Sequence, residues 1–245
     1  MMIVTLLFEL VVPCFNEAES LELLIEKSAH SALEVGLTPQ NFQLVLADNG
    51  SRDQTQEILK RLKRTNWGQW FRVETLDLNQ GYGGGIYEGL KTTRAPWVGF
   101  THADLQCDPS DAMRAFLDCK KNSGPAIVQG KRKNRDLKDW IVSRVFEFSV
   151  GVIWGFWAFD LNAQPKVFSR DLLERIKNPP IGIPFDAFIL WTAKKAGFSK
   201  HRVEVRLARR RYGHSHWSSG LRKRLTTFLK VVRELLKVKF IAQSQ

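Results

Sequence analysis

From Leu7 onward, short runs rich in apolar residues take turns with longer segments in which apolar residues recur every three to four positions. Leu7–Val12, Phe42–Asp48, Phe71–Leu76, Trp97–Thr101 and Ala126–Gly130 read as strands. Ala18–Val35, Gln54–Lys63, Gly84–Thr93 and Pro109–Lys121 read as the helices between them. This alternation predicts an α/β fold, with a mostly parallel central sheet and helices on both faces. Such sheets bind ligands at the carboxyl ends of their strands. The four loops expected there, Pro13–Glu17, Asp48–Asp53, Asn79–Gly85 and His102–Asp108, are polar although each follows a strand. One polar loop is commonplace; four point to a shared site.

Beyond Gly130 the rhythm changes. Trp140–Phe159 carries Trp140, Phe146, Phe148, Trp154, Phe156, Trp157 and Phe159, interrupted by Arg144 and Glu147. Its uncharged part falls short of the about 20 apolar residues that span a bilayer. It reads either as an interfacial helix, with Trp and Phe beside basic residues at a headgroup boundary, or as a core helix. Further on, Leu221, Leu225, Phe228, Leu229, Val232, Leu235 and Leu236 fall on one face of an amphipathic helix, with Arg222, Lys223, Lys230, Arg233 and Lys237 largely off it.

With 245 residues, 44% of them hydrophobic, and no linker, repeat or low-complexity tract, the chain fits a single domain over 1–245. The three cysteines, Cys14, Cys107 and Cys119, are odd in number and lack metal-type spacing. Neither a disulfide framework nor a zinc site is indicated, and a reducing cytoplasm fits. Met1–Val12 is apolar but has no basic leader and no small-residue cleavage site, so it is read as a strand and not as a signal peptide. The formal charge of +12 is unevenly placed: residues 200–245 hold thirteen Lys/Arg against Glu204 and Glu234. Lys131, Arg132, Lys133, Arg135, Lys138 and Arg144 add to it, against Asp136 and Asp139. Such a surface suits phosphorylated substrates, acidic lipid headgroups or nucleic acid. Nucleic acid ranks lowest, because no binding motif accompanies the charge.

The loops carry the chemistry. His102, Asp104 and Gln106 offer an imidazole, a carboxylate and an amide, all able to hold a divalent cation against a diphosphate. Alone, an acid there serves equally as a turn or helix cap ahead of Pro109. Asp48-Asn49-Gly50-Ser51-Arg52-Asp53 sets two carboxylates around a tight turn, fixed acceptors for a base edge or ribose hydroxyl, while Asp53 also suits a helix N-cap. Glu17, after Pro13-Cys14-Phe15-Asn16, falls beside Asp48 if the first two strands pair. Gly81-Tyr82-Gly83 begins a dinucleotide-type pattern, but it follows the third strand, and Ile86 stands where the last glycine belongs. No Gly-Lys-Ser/Thr phosphate loop is present. What remains is backbone near a phosphate or sugar, or close helix packing.

Taken together the loops resemble the family 2 glycosyltransferases, whose fold is the GT-A nucleotide-binding α/β domain. The resemblance rests on Val12-Pro13-Cys14-Phe15-Asn16-Glu17, on Asp48-Asn49-Gly50-Ser51 with Asp53, on Asn79, Gly81 and Gly83, and on Ala103-Asp104-Leu105-Gln106, in order across roughly residues 7–135. Gly130-Lys131-Arg132 and Arg210-Arg211-Tyr212-Gly213-His214-Ser215 are further similar to the polyprenyl-phosphate sugar transferases, the dolichyl-phosphate mannose synthases among them. The resemblance implies a nucleotide-sugar-binding half over about 1–135 and an acceptor-side half over about 136–245. It implies that Glu17, Asp48 and Asp53 hold the nucleoside, with Pro13, Phe15, Asn49, Gly81, Gly83 and Ala103 around the nucleotide. Asp104 and Gln106 would hold Mg2+ or Mn2+ on the diphosphate, and Arg132, Arg210 and Ser215 the acceptor or donor phosphates. Arginine offers phosphate a planar fork of donors.

Two departures matter. His102 replaces the first acid of the family's Asp-x-Asp, and His102 is expected to line the metal site still. Asp160-Leu161-Asn162-Ala163-Gln164-Pro165-Lys166 replaces Asp-x-Thr-Gly-x-x-Arg, which leaves sugar and acceptor selection open. The expected reaction is inverting transfer to a polyprenyl phosphate, with membrane contact peripheral. A hydroxyl acceptor, as in surface glycan synthesis, needs a base; Asp186, in Pro184-Phe185-Asp186, is the candidate, unless it only caps a helix through Trp191 and Ala196. A different class, a non-catalytic membrane- or nucleic-acid-binding protein on the same scaffold, is the remaining alternative.

Overall fold

The computed structural model describes residues 5–133, 136–208 and 221–243. The expected strands form as β1 (Phe8–Cys14), β2 (Phe42–Asn49), β3 (Phe71–Leu76), β4 (Trp97–Phe100) and β5 (Ala126–Lys133). Two more follow, β6 (Lys166–Ser169) and β7 (Ser199–Arg206). All belong to one seven-stranded sheet in the order β3-β2-β1-β4-β6-β5-β7. Every pairing is parallel except those of β6, which runs antiparallel to both β4 and β5. Strands from both halves of the chain therefore share one sheet.

The alternation of side chains along β1 explains why both faces are covered. Phe8, Leu10 and Val12 enter one core, under α1 (Leu21–Glu34), α2 (Thr55–Leu62) and α4 (Pro109–Lys121). Val11 enters the other, under α3 (Gly81–Lys91), α5 (Leu137–Trp154), α6 (Phe185–Lys195) and α7 (Leu221–Gln243). Helix α1 alone buries Leu21, Leu24, Ile25, Ala29 and Ala32, and each buried Leu or Ile contributes about 1.5–3 kcal/mol. At the amino end of the sheet, buried Glu9 accepts hydrogen bonds from Arg72 Nη2 (2.9 Å) and Ala95 N (2.8 Å). That pins β1 to β3 and β4 on the side away from the loops.

Three expectations are adjusted. Helix α3 begins at Gly81, not Gly84, because its first N–H groups are capped: Gly81 N by Asn79 Oδ1 (2.8 Å), Gly83 N by the Ile181 carbonyl (2.8 Å). The aromatic segment is a core helix on one side only. Helix α5 buries Phe146, Val150 and Trp154 while Trp140, Ile141, Val145, Phe148 and Val152 stay exposed. Among the described side chains of α7, Val231, Leu235 and Val238 are buried while Leu229 and Leu236 are exposed, so Leu235 alone of the expected face is fully buried there; the side chains of Leu221 and Leu225 are not among those described. Packing decides this: Trp154 Nε1 donates to the Leu235 carbonyl (2.8 Å), and Glu234 accepts from the Gly182 backbone.

Candidate active site

The carboxyl ends of β1 and β2 are in register, with Cys14 opposite Asp48. This brings the first two loops into direct contact. Asn16 N donates to Ser51 Oγ (3.0 Å) and its Oδ1 accepts from Arg52 N (2.8 Å). Glu17 N donates to Thr55 Oγ1 (3.1 Å). Asp53 accepts Thr55 N (3.0 Å) in the first turn of α2, whose N-cap is Gln54 and not Asp53, and Ala18 N (3.4 Å) across the gap. Burial would raise the Asp53 pKa, but these hydrogen bonds outweigh it and hold the carboxyl below its ordinary value. Asp48 is fully buried, with Oδ1 on Ser51 N (3.1 Å) and Oδ2 on Gln56 Nε2 (2.9 Å). Burial pushes the Cys14 thiol upward, and the charges of Glu17 and Asp48 beside it push it further.

Asn49 joins the second loop to the third: Nδ2 donates to the Gly81 carbonyl (2.9 Å) and Oδ1 accepts from Gln80 N (2.8 Å). The glycine run is there for close approach. A Cβ on Gly83 would lie 2.6 Å from both Phe185 Cβ and the Pro180 carbonyl, and one on Gly85 would lie 2.7 Å from Asn49 Nδ2. With Gly83 N and Gly84 N both on the Ile181 carbonyl (2.8 and 3.2 Å), packing accounts for these glycines, and those two amides are committed within the protein.

Tyr82 joins the third loop to the fourth, its Oη lying 3.0 Å from His102 Nε2. In the fourth loop Asp104, 6% exposed, accepts Gln106 N (3.1 Å) through Oδ1. Leu105 between them takes a left-handed φ of 57°, a conformation that costs a β-carbon residue about 1–2 kcal/mol and that tends to collect at functional sites. The Gln106 carbonyl accepts Ala208 N (2.9 Å), tying the loop to the chain just past β7. Ala103 packs into the first core, Asp108 caps α4 through Ser110 N (3.0 Å), and Phe15 is 38% exposed beside the first loop. Burial, and then Asp104 and Asp111, push the Cys107 thiol up to about 12.

The residues expected on the acceptor side divide. Arg132 lies on β5 and is gripped side-on by Asp160, through Nε (2.7 Å) and Nη2 (2.6 Å). Asp160 has a left-handed φ of 60°, and its N–H donates to Glu147 of α5 (2.6 Å). Arg210 and Ser215 lie outside the described residues. Asp186 sits in the first turn of α6, 1% exposed, with Oδ1 taken by Gln164 Nε2 (2.7 Å) and by the ammonium of Lys166. Burial draws the Lys166 pKa below its usual value, and Asp186 opposes that shift. A carboxylate so enclosed is poorly placed to take a proton from a hydroxyl. The sequence names Tyr82, Gln164 and Lys166 only as members of motifs and assigns them no role, because the partners each one meets lie 20 to 82 residues away along the chain.

Among the described residues no group of three or more His, Cys, Asp or Glu is assembled to hold a metal. The imidazole, carboxylate and amide of His102, Asp104 and Gln106 do not make a cage for a cation on their own. They suit Mg2+ or Mn2+ shared with a diphosphate, where one or two carboxylates suffice and phosphate oxygens complete the shell.

The sheet and the helices on its two faces define an α/β domain of the GT-A type. Crystal structures of glucosyl-3-phosphoglycerate synthase from Mycobacterium tuberculosis have this fold. The complex with Mn2+, UDP and glucosyl-3-phosphoglycerate superposes with a TM-score of 0.65 at 15% identity, over 96% of this chain and 79% of that one. The complex with Mn2+, UDP and phosphoglyceric acid gives 0.67 at 16% identity, over 96% and 78%. At these identities the likeness is one of fold alone. The chain belongs to glycosyl transferase family 2, whose model matches residues 9–191. Similar sequences include undecaprenyl-phosphate 4-deoxy-4-formamido-L-arabinose transferase of Pseudomonas aeruginosa, 28% identical over 87% of this chain and 61% of that protein. Dodecaprenyl-phosphate galacturonate synthase of Rhizobium johnstonii is 28% identical over 69% and 49%. The chain thus spans about half to three-fifths of the length of these curated relatives.

Proposed function

We propose that this protein is an inverting glycosyltransferase that moves a sugar from a nucleotide-sugar to a polyprenyl phosphate. The observation that carries the reading is that a hydrogen bond joins each of the four loops to the next: Asn16 to Ser51, Asn49 to Gly81, and Tyr82 to His102. Glu17 and Asp53 then face the nucleoside, with Phe15 available to stack on its base, while buried Asp48 braces the loop beneath them through Ser51 N and Gln56 Nε2. Asp104, with Gln106 and His102, would hold a Mg2+ or Mn2+ ion, which supplies positive charge to the departing diphosphate.

Arg132 is oriented by Asp160 in a grip that does not use Nη1, and on this reading it meets a phosphate of donor or acceptor, joined by Arg210 and Ser215. A lipid monophosphate, with a second pKa of about 6 by analogy with phosphorylated side chains, is nucleophilic at neutral pH without a base. That agrees with the commitment of Asp186 to Lys166, and it favours phosphate over a hydroxyl acceptor.

Attachment to the membrane is peripheral on this reading. No helix among the described residues is long and apolar enough to cross a bilayer. The exposed face of α5 carries Trp140, Ile141, Phe148 and Val152, beside exposed Trp157 and Phe159, residue types that suit a headgroup boundary.

The test is transfer from a panel of nucleotide-sugars to undecaprenyl phosphate in detergent with Mn2+, reading the anomeric configuration of the product. A phosphate-linked product of inverted configuration is expected. Transfer only to hydroxyl acceptors, retained configuration, or no turnover with any donor overturns the proposal.

A further inference from the structure

From Trp140 to its end at Trp154, helix α5 carries only two charged residues, Arg144 and Glu147. Glu147 is 5% exposed, and a carboxylate is buried at a cost that only pairing and hydrogen bonding offset. Its contacts show where that offset comes from. Oε1 accepts Asp160 N (2.6 Å) and Arg144 Nη2 (3.1 Å), and Oε2 lies 2.9 Å from Arg144 Nη2. Burial holds the Glu147 pKa above its ordinary value, against the hydrogen bond from Asp160 and the charge of Arg144. Arg144 is itself fixed between rings, with Cζ 4.8 Å from the Phe159 centroid and 5.5 Å from that of Trp140.

Asp160 depends on that acceptor. Its φ of 60° is left-handed, and a residue with a β-carbon persists there where its surroundings over-determine it. Here the N–H is taken by Glu147, while the carbonyl accepts Gln129 Nε2 and Ala163 N (2.9 Å). So held, the carboxylate meets β5: Oδ2 accepts Arg132 N (2.7 Å), Oδ1 accepts Arg132 Nε (2.7 Å), and Nη2 lies 2.6 Å from Oδ1. Arg144, Glu147, Asp160 and Arg132 thus form a row with a cation at each end. The two acids in the middle are joined through the Asp160 N–H, which satisfies one while aiming the other.

We propose that Glu147 is the positioning residue for Arg132, fixing Asp160 in the turn from which its carboxylate aims the guanidinium at a phosphate. This rests on the polyprenyl-phosphate reading above and adds to it a residue that the reading does not use. Without Glu147 the Asp160 N–H is left buried and unmet, the left-handed turn loses a restraint, and the carboxylate that grips Arg132 moves with it. A displacement of about 1 Å in a positioning group costs about 100-fold in rate. A brace that served only the packing of α5 would leave Arg132 where it is.

The experiment uses the full chain in two measurements. In 1H–15N spectra tuned to arginine Nε, Arg132 is assigned by its absence in Arg132→Ala. Its Nε–H should shift and exchange faster with water in Glu147→Leu. It should stay in place in Glu147→Gln combined with Arg144→Met, which removes both charges but keeps an oxygen for Asp160 N. The second measurement is kcat/KM for undecaprenyl phosphate in detergent, with Mn2+ and the nucleotide-sugar that the wild type uses. Glu147→Leu should lower it about 100-fold, with no further effect in an Arg132→Ala background, and the double variant should retain most of it. Should Glu147→Leu not fold, Glu147→Asp, whose shorter side chain draws the acceptor back from Asp160, takes its place in both measurements. An Arg132 Nε–H unmoved by the loss of Glu147 overturns the proposal. So does an equal loss of activity in the Arg132→Ala background, or a double variant as poor as Glu147→Leu. If the Nε–H responds as expected but the wild type transfers nothing to undecaprenyl phosphate, the acceptor reading fails, and Glu147 is a structural brace without the positioning role.

Discussion

Asp186→Asn changes one buried charge and almost no volume. In the wild type the Lys166 side chain is 0% exposed and that of Asp186 is 2% exposed, so the substitution strands an ammonium inside the protein. Opening a buried ion pair from one side costs about 3–5 kcal/mol. Lys166 keeps the Ala163 carbonyl and stands 5.5 Å from the Phe100 ring centroid, a cation–π contact of about 2 kcal/mol when desolvated. The loss should therefore fall at the lower end, about 3 kcal/mol at pH 7. Removing both charges together, as Lys166→Met with Asp186→Leu, should come out near neutral or stabilising.

The pH dependence follows from the same pair. Burial holds the folded pKa of Lys166 below its unfolded value, which is about 10.4. Between the two values the unfolded chain binds more protons, so stability rises with pH across that window. Asp186 resists the depression; without it the folded pKa drops further and the window widens downward. The deficit of Asp186→Asn should thus shrink as pH is raised from 7 towards 10. Urea denaturation of both proteins at pH 7 and 9.5 measures it, and groups that titrate alike in both cancel in the difference. A deficit below about 1 kcal/mol at pH 7, or one unchanged at pH 9.5, would refute the reasoning.

Gly83→Ala forces a Cβ to within 2.6 Å of Phe185 Cβ and the Pro180 carbonyl, and should cost about 1–3 kcal/mol by overpacking; an unchanged melting temperature would show that the helix shifts without penalty. Phe148 and Val152 are 63% and 60% exposed on α5, so Phe148→Glu with Val152→Glu should leave the unfolding midpoint unchanged while abolishing flotation with anionic liposomes at low salt. Flotation that survives the double substitution would move the membrane contact away from α5.

Much of the first half of the chain was legible because buried parallel strands write themselves as apolar runs, and the loops after them stand out by polarity. Asp48 beside Glu17 followed from this, whereas α2 starts one residue later than its polarity suggests and takes Gln54, not Asp53, as N-cap. Helix α1 starts at Leu21 and not Ala18 because Ser20 N bonds back to the Glu17 carbonyl (3.0 Å), making a turn first. Strands β6 and β7 left little trace. Strand β6 has four residues and opens with Lys166, a residue buried only because Asp186 waits for it. Strand β7 alternates Val203 and Val205 with Arg202, Glu204 and Arg206, a pattern too short and charged to read alone. The run of contacts from Lys166 through Asp186, Gln164 and Tyr82 to His102 was illegible for a topological reason: Tyr82 and Gln164 are brought together only by the sheet.

Whether the four loops act as one donor site is decided most directly by titration calorimetry of UDP, GDP, CDP and ADP with Mn2+ into wild type, Glu17→Gln and Asp104→Asn, which alter separate loops. The wild type should bind one of the four, and each substitution should weaken that binding at least about tenfold, or 1.4 kcal/mol. Binding of none, or binding that neither substitution affects, would contradict a shared site at the ends of the strands.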